Sequence, residues 1–245
     1  MKISLSLFIT QKTPLSRRKV LELIKAKKIW VNDKIATDMT MIIHPNKDRV
    51  RADKQVLEPG LPKLVYYKLN KPKGVITTLV DPRGRRTVAE FTARIPEKVV
   101  PIGRLDRDTT GLLLLTNDGH LANQIAHPSF HLPKMYQVIL DQVITRANLA
   151  RLLTGMVLED GPFSFDKVEK VDEKTLRVTI TEGRNRIIRR AFTQLGYEVQ
   201  KLKRLSIGPV QLGKLEKGQL KRLTTAEVAT LMATLKSIAK ALRPS

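Results

Sequence analysis

The sequence predicts an α+β protein in two parts, a small N-terminal one and a larger C-terminal one, and three observations carry that prediction. The segment LEPGLPKL places Pro59, Gly60 and Pro62 within a few residues. These interrupt helix and ladder hydrogen bonding alike, so the chain is divided into residues 1–62 and 63–245. Ahead of the break a basic helical pattern leads into a short hairpin pattern. Behind it, β-rich stretches and amphipathic helical stretches follow one another.

In the small part Ser16 is the expected cap of a helix through RRKVLELIKAKK, with Val20, Leu21 and Ile24 on one side and Arg17, Arg18, Lys25 and Lys28 elsewhere. IWVN and KIAT then alternate around Asn32 and Asp33 as a hairpin. A basic helix feeding a small sheet suits an RNA backbone, and it suits a solvated helix face equally well.

The larger part opens with VYYKLNKPKGVITTLV, two β-rich stretches separated by Lys71, Pro72, Lys73 and Gly74. PRGRRTV sets Arg83, Arg85 and Arg86 around Gly84, a loop for an RNA groove or a charged turn, before a short helix over VAEFTARI. Leu112 to Leu115 are too few for an independent helix and run into Asn117, Asp118 and Gly119, which predicts a strand buried on both faces, with HLANQIAH a helix after it. KMYQVIL starts a strand at Lys134. In TEGRNRIIRRAFTQLG, Asn185 is expected to cap a helix that ends at Gly196. Its apolar face holds Ile187, Ile188, Ala191, Phe192 and Leu195, with Arg186, Arg189 and Arg190 nearly opposite. TTAEVATLMATLKSIAKALRPS spaces Val228, Leu231, Leu235, Ile238 and Leu242 as a helix packed on the body.

Composition narrows the function. Lys and Arg number 45 against 23 Asp and Glu, a net charge of +22 over 245 residues, and such a field concentrates polyanions, nucleic acid first. Aromatic residues are only 4%, which leaves few stacking platforms and favours folded or duplex RNA held through phosphates and shape. No apolar run is long enough to span a membrane. MKISLSLFIT carries two serines and leads into QKTPLSRRK with no small-residue cleavage site, so a cytoplasmic rather than a secreted protein is expected. The absence of cysteine removes disulfides, cysteine-zinc sites and thiol nucleophiles together. His44, His120, His127 and His131 fall in no HExxH pattern, and neither a Walker loop nor GxGxxG occurs, so no metal or cofactor is expected.

The run GRLDRDTTGLLLLTNDG, from Gly103 to Gly119, is where chemistry is concentrated. Asp106 and Asp108 stand among Arg104 and Arg107 just before the buried strand. A carboxylate beside a guanidinium at the mouth of a core stays ionised, as a nucleophile requires, and the same residues also fit an ion-pair network that holds a loop. Tyr136 can stack on a base and pass a proton through its hydroxyl, or sit half-buried in the core. Three arginines within five residues beside a glycine-bearing entry fit phosphate or carboxylate binding, against the usual solvated helix face.

Taken in order, GRLDRDTTGLLLLTNDG, KMYQV, EGRNRIIRRAF and LKRLSIGPV closely resemble the RsuA/RluB/RluE/RluF family of ribosomal RNA pseudouridine synthases, over nearly the whole chain. LSRRKVLELIKAKKIWVND resembles an S4-type RNA-binding module, although SLSLFIT before it lacks the family's basic residues. NRIIRRAF departs from the family's NRQVRRMF at Ile187 and Ala191. The resemblance implies a mixed, mainly antiparallel sheet flanked by helices. It places the catalytic aspartate at Asp106, the active-site tyrosine at Tyr136, and the basic partner of the aspartate at Arg189. Substrate contact is expected from Arg104, Lys134, Arg186 and Arg190, and from Arg17, Arg18, Arg85 and Arg86. The implied reaction is isomerisation of uridine to pseudouridine without a cofactor, in ribosomal RNA or a pre-ribosomal particle, by a monomer. PRGRRTV and RNRIIRR favour large-subunit over small-subunit RNA. Two rival activities fit the same residues: a non-catalytic ribosome-associated RNA binder, and a nucleoside hydrolase that releases uracil.

Overall fold

The computed structural model describes residues 2–242. It has two compact units, one formed by the chain up to Val65 with Pro96–Lys98, the other by Tyr66–Ile95 and the chain from Val99 onward. Pro96–Lys98 counts with the first unit, where Lys98 Nζ donates to the carbonyls of Thr13 and Leu15.

The first unit holds β1 (Ile3–Ser4), α1 (Leu5–Lys12), α2 (Arg17–Lys25), β2 (Ile29–Val31), β3 (Lys34–Ile35), β4 (Ile42–Ile43), β5 (Val50–Ala52) and β6 (Gln55–Leu57). Its sheet runs in the order β3-β2-β5-β6, and β1 pairs with β4. The apolar N-terminal stretch is core: Leu5, Phe8 and Ile9 of α1 are completely buried. Ser16 caps α2 by accepting from the Lys19 amide. Val20 and Ile24 face the core as expected, whereas Leu21 is 36% exposed and Leu23 packs against the core from the other side of that face. Asn32 and Asp33 both take positive φ, forming the two-residue turn that joins β2 to β3.

The second unit comprises β7 (Tyr66–Lys71), α3 (Ala89–Thr92), β8 (Val100–Ile102), β9 (Thr109–Thr116), α4 (Gly119–Ala126), β10 (Lys134–Leu140), α5 (Arg146–Thr154), β11 (Met156–Leu158), β12 (Gly161–Phe163), β13 (Lys167–Lys170), β14 (Thr175–Ile180), α6 (Ile187–Gln194), β15 (Val199–Ile207), β16 (Val210–Gln211), β17 (Leu220–Arg222) and α7 (Thr225–Ala241). The main sheet runs β13-β14-β10-β15-β9-β7-β17, with β16 on β15 and β8 on β9. Among the described strands of this sheet only β15 and β9 pair in parallel, so the sheet is mixed and mainly antiparallel, flanked by helices. Leu112, Leu113, Leu114 and Leu115 of β9 are all buried, as a strand covered on both faces requires. Leu112 and Leu114 pack with Leu121 and Ile125 of α4 and Leu231 and Leu235 of α7. Leu242 instead sits at the end of α7, half exposed, and the last three residues of that expected helix lie outside the described residues.

The expected strand over GVITTLV is a loop, touching Thr87 only through a single bridge at Ile76. Threonine hydroxyls compete with the ladder there. Thr78 Oγ1 donates to the Val80 carbonyl, and Thr77 Oγ1 both donates to the Leu105 carbonyl at 2.7 Å and accepts from the Leu105 amide at 3.2 Å. Thr77 thereby fixes the residue immediately before Asp106.

Two further devices hold the 103–108 loop. Lys71 is fully buried at the end of β7, its Nζ donating to the carbonyls of Val75 at 2.7 Å, Pro72 at 3.0 Å and Arg107 at 3.5 Å. Burial pulls its ammonium down to about 8, against the opposing pull of Asp106 and Asp108. Gly111, φ +99, faces Arg204 across the parallel pair, and a Cβ there would stand 2.3 Å from the Arg204 carbonyl oxygen and 2.7 Å from its amide nitrogen.

Gly111→Ala is therefore expected to cost at least about 3 kcal/mol in a urea titration, from φ strain plus a backbone clash, while Gly84→Ala costs about 1 kcal/mol from strain alone. Gly84 has φ +66 with open space around it, so similar small losses at both positions would contradict the close approach. For Lys71 the folded-state value lies below the unfolded one, so between about pH 8 and 10.5 the unfolded chain binds more protons and unfolding becomes harder as pH rises. Stability relative to Lys71→Met should therefore rise across that window; a flat difference would count against a buried, desolvated ammonium.

Candidate active site

A cavity of about 380 Å³ opens in the second unit where the 103–108 loop, β10, β15 and the 181–188 segment converge. Asp106, Tyr136 and Arg204 line it, with Lys134, Arg104 and Arg186 among the cations at its wall. Asp106 is the only carboxylate among the described lining residues. Its carboxylate has no ion-pair partner among the described residues. Asp108, two residues on, is exposed and off the cavity.

The sheet aligns the other two groups. Tyr136 of β10 is the register partner of Arg204 of β15, and Arg204 in turn is the partner of Gly111 of β9. A register shift falls between Met135 and Tyr136, the kind of irregularity that re-aims a side chain beside a site. Tyr136 is 7% exposed, and its hydroxyl accepts from Arg204 Nη1 at 3.4 Å. Arg204, 3% exposed, also donates from Nε to the Leu112 carbonyl at 2.7 Å. Its Nη2 is buried with no hydrogen-bond partner among the described residues, as is Thr109 Oγ1 on the same cavity wall.

Lys134 shares the face of β10 with Tyr136, two residues away. Its Nζ donates to the carbonyls of Leu132 and Thr181, and burial, then the charge of Arg204, pulls its ammonium down to about 8. Arg186 is exposed at the N-cap of α6 with φ +49, a left-handed backbone that strains a non-glycine residue. It takes the position expected of Asn185, whose side chain makes no cap. The helix starts at Ile187, and Asn185 contributes its carbonyl to Arg190 Nε instead.

Arg189 and Arg190 lie off the cavity. Arg189 makes no direct pair with Asp106: Nη1 donates to the Val199 carbonyl at 2.7 Å and Nη2 reaches the Asp108 carbonyl at 3.5 Å. Burial lowers its pKa, with Arg186 adding to that and the charges of Asp106 and Asp108 opposing it. Arg190 binds Asp160, which also binds Arg184, and Arg184 donates to the carbonyls of Gly161 and Pro162 and pairs with Glu182. This cluster ties the β11–β12 hairpin to the segment that forms one cavity wall. Arg85 and Arg86 are paired locally with Asp81 and Glu90, while Arg17 and Arg18 are exposed on α2 of the first unit.

Sequence reasoning does not single out Arg204, Lys71, Thr77 or Arg184. Arg204 has a legible signal: it stands in phase with buried Leu202 and Ser206 along β15. The other three act through backbone carbonyls or distant acids, which leave no local pattern.

Comparison with known proteins gives a consistent result. A family model described as RNA pseudouridylate synthase matches residues 65–194. The chain is 37% identical over 236 residues to an RNA pseudouridine synthase of Aquifex aeolicus, with 94% of each covered. It is 40% identical over 226 residues to ribosomal large subunit pseudouridine synthase B of Bacillus subtilis, covering 89% of this chain and 91% of that one. A crystal structure described as a pseudouridylate synthase superposes with a TM-score of 0.68 at 31% identity, covering 94% of this chain and 99% of the other. Fold, cavity and matches agree: the chain belongs to the RNA pseudouridylate synthase family and is an RNA pseudouridine synthase.

Proposed function

We propose that the chain isomerises uridine to pseudouridine in large-subunit ribosomal RNA, with Asp106 as the nucleophile. The observation that carries this reading is that Asp106 is the one carboxylate among the described residues of a cavity wall that also carries several cations and Tyr136. The cations that share that wall, Arg104, Lys134, Arg186 and Arg204, give a carboxylate nucleophile positive surroundings. The large-subunit substrate is supported by the name of the Bacillus subtilis relative, which does not favour small-subunit RNA. A non-catalytic role is not favoured either, since Asp106 and Tyr136 both line the cavity.

A base stacked in RNA cannot present its glycosidic bond or its ring carbons to a carboxylate, so the target nucleotide is flipped into the cavity. There Asp106 attacks either the sugar carbon or the uracil ring, the bond from C1′ to N1 breaks, the ring turns, and C1′ rejoins through C5. The C5 proton is lost and N1 gains one, so the product is an isomer and nothing is released. Tyr136 stacks on the ring, its hydroxyl placed to help remove that proton. The exposed cations, Arg104 and Arg186 near the cavity and Arg17 and Arg18 on α2, supply phosphate contacts in this reading, the first unit acting as an S4-type RNA-binding module.

The test is to map pseudouridine by carbodiimide-dependent reverse-transcription stops on RNA of both subunits, naked and in partly assembled particles. Asp106→Asn is expected to lose activity by about 10³-fold or more while binding RNA normally, and Asp108→Asn to stay within about tenfold of wild type. Equal losses would contradict the single-nucleophile reading. Stops confined to small-subunit RNA would overturn the substrate assignment, and free uracil would overturn the isomerase.

A further inference from the structure

Arg204 is the one buried guanidinium among the described residues of the cavity wall, and it is only partly used. Nε is committed to the Leu112 carbonyl and Nη1 to the Tyr136 hydroxyl, leaving Nη2 buried without a partner. A buried charged donor left unpaired is costly, and such groups persist where a ligand completes them. Thr109 Oγ1, on the adjacent strand and the same wall, is a second buried polar atom without a hydrogen-bond partner among the described residues. The guanidinium carbon lies 5.9 Å from the centre of the Tyr136 ring, so a base stacked on that ring comes within reach of Nη2. Gly111 fixes this arrangement, because its missing side chain lets β9 close on the Arg204 backbone.

We propose that Arg204 is a catalytic residue of this enzyme, whose Nη2 donates to a carbonyl oxygen of the flipped uracil and stabilises the negative charge that the ring carries midway through the reaction. The proposal rests on the isomerase reading above, but not on which atom Asp106 attacks. When Asp106 attacks C1′, the electron pair of the C1′–N1 bond leaves on uracil, which becomes a monoanion with charge spread over N1 and its carbonyl oxygens. When Asp106 adds to C6, the electron pair of the C5–C6 double bond moves toward the C4 carbonyl, and the ring is again an anion. In both routes the ring is neutral again once C5 is bonded to C1′, the C5 proton has left and N1 has gained one. The ring is neutral in the substrate and the product and charged only in between, so a fixed cation here binds the intermediate more strongly than either end state.

The test uses a substituent that stabilises the ring anion by itself. Fluorine at C5 withdraws electrons, so a 5-fluorouridine target depends less on Arg204 than uridine does. Single-turnover consumption of each nucleoside, in the RNA on which the wild-type chain is active, is read by mass spectrometry after nuclease digestion. Arg204→Met is expected to slow uridine by about 10²–10³-fold and 5-fluorouridine by about tenfold less than that, with Arg204→Lys intermediate. Equal slowing of both bases, or an unslowed Met variant, would overturn the proposal. Because Nε also holds the Leu112 carbonyl, thermal melting accompanies the kinetics, and where the Met variant is unfolded the ratio from the Lys variant decides. If the wild-type chain forms no pseudouridine in either subunit's RNA, the isomerase reading and this proposal fall together; activity with equal slowing sinks Arg204 alone.

Discussion

The parallel contact between β9 and β15 at Gly111 and Arg204 is the constraint on which the rest of the site depends. An ordinary residue at 111 would drive its Cβ into the Arg204 backbone, so the two strands approach this closely only because glycine stands there. That approach sets the strand following Asp106 beside the strand carrying Arg204, and through the next register pair it brings in Tyr136. Three groups remote in sequence thus become neighbours through backbone pairing, which is stiffer than any side-chain contact that could link them. The four buried leucines of β9 anchor the middle strand on both faces, and their burial keeps the loop ahead of it from drifting.

Around that frame the electrostatics are lopsided. Among the described residues one carboxylate faces a wall with several cations, and two of these are held by main-chain carbonyls, Lys134 by those of Leu132 and Thr181 and Arg204 by that of Leu112, as Lys71, off the wall, is held by those of Val75, Pro72 and Arg107. Carbonyls satisfy hydrogen bonds without cancelling charge, so the cavity keeps a positive potential while its polar groups stay largely paired. Of the nearby acids, Asp160 pairs with Arg184 and Arg190 and Glu182 with Arg184, while Asp81 and Glu90 pair with Arg85 and Arg86 on the surface. The first group of pairs also fastens a hairpin to the cavity wall. The same side chains that make the chain strongly basic are therefore divided between an exposed set suited to phosphates and a buried set suited to an anion.

How much of this can be read in the sequence follows from what produces each feature. The buried strand, its helical neighbours, the α2 cap at Ser16 and the hairpin at Asn32 and Asp33 all arise from local periodicity or turn chemistry, and all are legible. The loop in place of a strand after Gly74 is not, because Thr77 and Thr78 have strand-like propensity but spend their hydroxyls on backbone groups. The cap of α6 falls one residue beyond the expected Asn185, since a left-handed arginine at that position has no sequence signature. Asp106 and Tyr136 stand on the cavity wall as expected, whereas Arg189 is bound to main-chain carbonyls instead of to the aspartate. Arg204 escapes notice in the sequence because, in a chain with many cations, its phase with Leu202 and Ser206 along β15 is the one mark that separates it from exposed arginines.

The most direct measurement is the structure of the Asp106→Asn variant bound to a ribosomal RNA fragment that the wild-type chain modifies. The proposed mechanism requires a uridine extruded from its stack, its ring against Tyr136, with C1′ or C6 within about 3.5 Å of residue 106. A target base still stacked in the RNA, or one seated with Asp108 as its nearest acid, would contradict it.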